Sequence, residues 1–195
     1  MKNIFRGIIY RHPFLYNMMG RLYFRKRWDF RYQEVVKYIN PGESVLELCV
    51  GDGVLSTYLN SNKYIGFEFN RTFVNYGIRK KRNLVLADIL SHPFPESDVI
   101  IMISSFYHFI HNARVIWDKM KNSCRKRIVI CENVACLSTS SNKWLNMLGR
   151  AISMAHNGTG TDRWTKEEIC GFLKENNFSK IYCKNNYIFG VWDKF

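Results

Sequence analysis

A chain of 195 residues, 47% hydrophobic and 15% aromatic, can bury a sheet-and-helix core, which excludes wholesale disorder and leaves too little length for two catalytic domains. Lysine and arginine number 29 against 16 acids, and the formal net charge of +13 favours anionic partners such as nucleic acid, acidic lipid or phosphorylated metabolites without specifying a chemistry. The six cysteines include no C-x-x-C pair, so neither a zinc site nor a disulfide scaffold is indicated, no metal is expected, and reduced thiols of a cytoplasmic protein fit the usage.

At the start of the chain Arg11 and His12 interrupt the apolar run Ile8-Ile9-Tyr10 before it reaches the length of a signal peptide or membrane span, and no transmembrane segment is expected. Over residues 13–39, Phe14, Leu15, Met18, Met19, Leu22 and Tyr23 recur at helical spacing among basic residues, which predicts two amphipathic helices, the second over 29–39. Asn40, Pro41 and Gly42 stop it. Residues 1–40 thus read as a basic helical extension, either a lid over an acceptor site or an anion-binding face suited to a membrane surface or, with less support, nucleic acid.

Residues 41–195 read as one domain, in which short apolar runs alternate with helical patterns, the mark of successive β-α units and a parallel sheet. Strands are predicted over 44–48, 63–68, 84–87, 99–103, 127–131, 179–184 and 187–191. Asn185-Asn186 tolerates the positive φ angles of a two-residue hairpin, making the last two strands antiparallel neighbours. The fold class is therefore α/β, with a doubly wound, mostly parallel sheet of seven strands ending in an antiparallel hairpin. An insertion over 134–163, expected on the acceptor side, carries a helical pattern (Trp144, Leu145, Met147, Leu148, Ala151, Ile152) and a Gly-rich loop over 156–163. Thr165 and Glu168 are spaced as a capping box for a helix over 166–175.

The sharpest motif is Val45-Leu46-Glu47-Leu48-Cys49-Val50-Gly51-Asp52-Gly53, a strand ending in an acid and a turn with two glycines ahead of a helix. Gly51 and Gly53 let the backbone turn tightly and a ligand approach it, at the carboxyl end of a strand where open α/β sheets place their crevice. Glu68 closes the next strand, about 20 residues on, the offset at which a carboxylate accepts from ribose hydroxyls. Asp88 closes the third.

This arrangement resembles the class I, Rossmann-like S-adenosylmethionine-dependent methyltransferase family, with Cys49 standing where that family's motif has its first glycine. The resemblance covers about residues 40–195. It implies S-adenosyl-L-methionine as cofactor, with Glu47, Cys49, Gly51 and Gly53 around its amino acid portion, Glu68 and Phe69 at the ribose, Asp88 and Ile89 bordering the adenine, and Ser104 beside cofactor and acceptor. A nicotinamide or flavin protein would want Gly-x-Gly-x-x-Gly and a diphosphate where this turn carries Glu47 and Asp52; a cofactor with ammonium and sulfonium cations suits those charges better. Arg31 and Tyr32 are candidates for the cofactor carboxylate.

On the acceptor side, Tyr107 and His108 in Ser104-Ser105-Phe106-Tyr107-His108 are the candidate catalytic residues, and Glu132, Asn133, His156 and Asp162 are further candidates. The Asn/Asp-Pro-Pro-Tyr/Phe pattern of amino-group methylation is absent, and Cys131 and Cys136 lack the context of a cysteine nucleophile. The implied activity is methylation of a small or lipid-like metabolite, the alternatives being an RNA methyltransferase or a protein that binds the cofactor without turnover. A cytoplasmic protein, peripheral at a membrane surface in one reading, is the expected setting.

Overall fold

The computed structural model describes residues 12–24, 26–60, 63–134 and 163–194. Seven strands form a single sheet in the order β3-β2-β1-β4-β5-β7-β6. They are β1 Ser44–Leu48, β2 Lys63–Glu68, β3 Leu84–Leu86, β4 Ser97–Ile103, β5 Cys124–Asn133, β6 Lys180–Lys184 and β7 Tyr187–Asp193. All neighbouring pairs from β3 to β5 are parallel, and β7 runs antiparallel to both β5 and β6. Asn185 and Asn186 have φ of 51° and 65°, the left-handed pair a tight hairpin needs to match strand twist.

Both faces of the sheet are covered, so its central strands are apolar throughout instead of alternating. In β4, Ile100 and Met102 face one layer while Val99, Ile101 and Ile103 face the other. The first layer holds α4 (Ala113–Ser123) and α5 (Lys166–Glu175), packed through Ile116, Trp117, Met120, Ile169 and Leu173. The second holds α2 (Lys26–Val36), seated through Tyr32 and Val35, and α3 (Arg71–Arg79), seated through Val74. α1 (Pro13–Phe24) lies outside α2 and also touches α3. α5 opens on the expected capping box, Thr165 Oγ1 accepting from the Glu168 amide and the Glu168 carboxylate from the Thr165 amide.

Two helix expectations shift. The second helix spans Lys26–Val36 instead of 29–39, because the Glu43 carboxylate accepts from both the backbone amide and side chain of Asn40 and turns the chain ahead of Pro41. The helix expected after the glycine turn is only a five-residue 3-10 turn, Val54–Tyr58. The Ser56 and Thr57 hydroxyls donate to the carbonyls of Gly53 and Val54, giving the backbone local partners that compete with α-helical propagation. Residues 135–162 of the expected insertion lie outside the described residues, with the helical pattern over 144–152 and with Cys136, His156 and Asp162.

Candidate cofactor and acceptor site

The sheet order reverses at β1, which has β2 on one side and β4 on the other, and the crevice at such a switch point is where doubly wound sheets bind ligands. Here β1 runs into Cys49, Gly51 and Gly53, all left-handed with φ of 55°, 60° and 78°. Glycine takes that conformation freely; Cys49 occupies it at a cost of about 1–2 kcal/mol. Glu68 at the end of β2 clamps the turn, one carboxylate oxygen accepting from the Gly51 amide at 2.8 Å and the other from the Asn70 amide at 2.8 Å. Asn70 in turn caps α3 by accepting from the Thr72 amide.

Glu47 lies beneath this turn, 2% exposed, and accepts a hydrogen bond from the Tyr64 hydroxyl at 2.5 Å. Burial pushes its carboxyl up to about 8, against the opposing pull of Tyr64 and Arg31. Asp52 is buried too, ion-paired with Arg82 at 2.7 Å and accepting from the Asn17 side chain of α1 at 3.0 Å. The acids of the turn therefore repel a diphosphate less than their number suggests: Asp52 is paired with Arg82, and Glu47 holds its proton near neutrality. Geometry disfavours a diphosphate as well, since Glu68 already occupies the Gly51 amide and the 3-10 turn offers no α-helix N-terminus.

Arg31 of α2 faces the same crevice, 6% exposed, its guanidinium 4.0 Å from the Trp28 ring centroid and 4.7 Å from that of Tyr32. It donates to the Tyr32 hydroxyl at 2.9 Å and lies 3.5 Å from the Ser104 hydroxyl, while its Nε has no partner. Among the described residues no carboxylate is within ion-pair distance of it. A buried cation without a counter-ion is costly, which makes Arg31 a candidate for holding an anion. Ser104 itself is left-handed, φ 52°, with its amide donating to the Cys131 carbonyl across β5.

One strand further out, Asp88 is exposed and its carboxylate accepts from the Leu90 amide, closing a turn after β3. Ile89 is buried in the core, and Lys119 of α4 ties that turn down by donating to the carbonyls of Ile89, Leu90 and His92. Phe69 is exposed beside Glu68.

Across the crevice, β4 leads into a 3-10 segment, Phe106–Asn112, that carries Tyr107 and His108. Glu132 at the end of β5, 1% exposed, holds that segment in place by accepting from the Tyr107 amide at 3.3 Å while its other oxygen accepts from the Asn133 amide. Burial raises Glu132 to about 7, with the Arg163 guanidinium opposing. His108 is pulled down to about 4 by burial and then by Arg163, so it is neutral at physiological pH and a weak base there. Arg163 stacks on Tyr107, 3.4 Å from the ring centroid.

The sequence-predicted residues Glu47, Cys49, Gly51, Gly53 and Glu68 thus meet at the adjoining ends of β1 and β2, with Ser104 next to them at β4. Asp88 and Ile89 stand one strand beyond, and Tyr107 and His108 on the far side. Arg163, Asn17 and the Arg82 counter-ion were not visible as site residues: Arg82 sits in the exposed-looking run Arg79-Lys80-Lys81-Arg82, and no local pattern marks the other two. A separate depression lined by Ser44, Lys63, Asn83, Glu96 and Arg125 opens at the amino ends of the strands, the wrong end for this chemistry.

The fold has close counterparts among solved structures. An S-adenosylmethionine-dependent methyltransferase from Aquifex aeolicus superposes with a TM-score of 0.60 at 16% identity, over 83% of this chain and 88% of that one. The magnesium protoporphyrin IX methyltransferase ChlM from Synechocystis PCC 6803, with bound SAH, gives 0.60 at 16% identity over 86% and 83%. The plantazolicin methyltransferase BpumL in complex with SAH gives 0.62 at 12% identity over 85% and 80%. At such identities the likeness establishes the architecture, that of class I methyltransferases. No curated protein matches the chain. The model of one family, described as methionine biosynthesis protein MetW, matches residues 27–146, from α2 through the glycine turn and β5, and the chain belongs to the MetW family.

Proposed function

We propose that this chain is an S-adenosylmethionine-dependent methyltransferase acting on a small or lipid-like metabolite. The observation that carries the reading is the buried, uncompensated guanidinium of Arg31 facing the clamped glycine turn. A cofactor with a carboxylate at one end and a ribose at the other fits between Arg31 and Glu68. When bound, it supplies an electrophilic methyl on a sulfonium. Arg31 holds the carboxylate, Glu68 uses its remaining lone pairs on the ribose hydroxyls, and Phe69 with Ile89 flanks the base beside Asp88. At Gly51 the turn carries no side chain, and a Cβ there would meet only the Phe73 ring, at 3.7 Å.

Methyl displacement asks chiefly for alignment and a dry pocket. Tyr107 and His108 line the acceptor side, His108 as a neutral imidazole. A lipid-like acceptor is supported by α1, on which Phe14, Met18 and Leu22, 65%, 41% and 70% exposed, follow one another four residues apart on one helix face.

S-adenosylhomocysteine should raise the melting temperature of the protein, NAD should not, and Arg31→Gln and Glu68→Ala should each weaken binding at least about tenfold in a folded protein. Stabilisation by NAD alone would refute the reading. Labelled S-adenosylmethionine with a metabolite extract should yield a labelled small molecule; labelled RNA, or cofactor binding without product, would point to the two alternatives.

A further inference from the structure

We propose that Arg163 forms an anion subsite on the acceptor side of the crevice and that the methyl acceptor carries a carboxylate there. The inference rests on the methyltransferase reading and names the substrate class of the same site.

Among the described residues the buried Nε of Arg163 has no hydrogen-bond partner and its guanidinium makes no ion pair. What it does touch is the face of Tyr107, at 3.4 Å from the centroid. Stacking occupies the π-face of a guanidinium and leaves its edge of N–H donors free to engage an acceptor. The acid nearest in effect, Glu132, already spends its oxygens on the backbone amides of Tyr107 and Asn133.

Arg31 and Arg163 serve different places. Arg31 acts on Glu47 beneath the glycine turn, and Arg163 on Glu132 and His108 at the ends of β5 and β4. Both also act on Tyr16 of α1. One cofactor carboxylate satisfies one of these cations, and the cation left over faces Tyr107 and His108, where the acceptor enters. The in-plane N–H edge of a single guanidinium matches the two oxygens of a carboxylate. A phosphate dianion matches less well, because one guanidinium balances only one of its two charges.

The test uses the full chain saturated with S-adenosylhomocysteine and two probes of one shape, 3-phenylpropionate and 3-phenylpropanamide, titrated by calorimetry with inorganic phosphate as competitor. The carboxylate should bind at least about tenfold tighter than the amide and resist phosphate. Arg163→Gln should erase that preference while leaving the affinity for S-adenosylhomocysteine unchanged. Equal behaviour of the two probes on the wild-type protein, including failure of both to bind, overturns the proposal even if the variant does not fold. So does an undiminished preference in Arg163→Gln, or displacement by phosphate. Failure of S-adenosylhomocysteine itself to bind would instead bring down the methyltransferase reading, and the subsite with it.

Discussion

Glu47→Gln isolates the energetic consequence of seating a carboxyl under the glycine turn. The side chain is 2% exposed and its carboxyl titrates at about 8 against an ordinary 4.5. Between those values the native state keeps a proton that the unfolded chain releases, so the native state loses stability as pH rises, by about 1.4 kcal/mol per unit. From about pH 5 to about pH 8 the sum is on the order of 3 kcal/mol, a large share of a typical folding free energy. Glutamine keeps the shape and the oxygen that accepts from Tyr64 but does not titrate. His108 and Glu132 titrate in both proteins and cancel in the difference. Urea unfolding of wild type and variant at several pH values should therefore show the variant gaining steadily on the wild type, the gap widening by about 3 kcal/mol across the window. A gap that stays constant would mean that Glu47 ionises as a solvated carboxylate, and the picture of a dry support under the turn would be wrong.

Removing the Asp52 counter-ion with Arg82→Gln should destabilise the protein by about 3 kcal/mol in the same assay, because a buried carboxylate is left with only the Asn17 amide. In Gly77→Ala the new Cβ would come within 2.7 Å of the Asp52 carbonyl and closer still to Leu84, so about 1–3 kcal/mol of overpacking is expected in urea unfolding, together with weaker S-adenosylhomocysteine binding as the turn is displaced. Thr165→Ala removes the capping box of α5 at about 1 kcal/mol, read as a fall of about 2–4 °C in melting temperature with cofactor affinity unchanged.

The fold was legible because its signals are local and periodic. A five-residue, β-branched apolar run such as Val99 to Ile103 fits a buried strand by length and composition, Asn185-Asn186 tolerates the left-handed pair of a hairpin turn, and Thr165 with Glu168 has the spacing of a capping box. The extra residues at both ends of β5 were hidden because Cys124, Arg125 and Lys126 carry no strand propensity of their own and pair only through the sheet; Ser97, for example, lies opposite Cys124. The site was legible as far as strand ends go, since an acid closing a strand beside glycine is a pattern in the chain. Partnerships across the chain were not. Nothing near Asp52 announces Arg82, thirty residues away, and nothing near Tyr107 announces Arg163. Arg82 balances the charge of Asp52 and burial raises Glu47, so the electrostatics inferred from sequence came out with the wrong emphasis.

The consequence bears on how such a turn selects its ligand. A dinucleotide site uses free backbone amides at the start of a long helix, so that partial positive charge meets phosphate. Here Glu68 consumes the Gly51 amide, and the five-residue 3-10 segment contributes little dipole. What the crevice retains is a cation, Arg31, beside Ser104, and a carboxylate with lone pairs to spare, Glu68, which clamps the bend from β2. That polarity, positive at one end and hydroxyl-accepting at the other, suits a ligand whose acidic group and ribose are separated by an uncharged or cationic linker and disfavours one whose centre is a diphosphate. Selection is thus written in which backbone amides the protein has already used, more than in the count of acids that the motif displays.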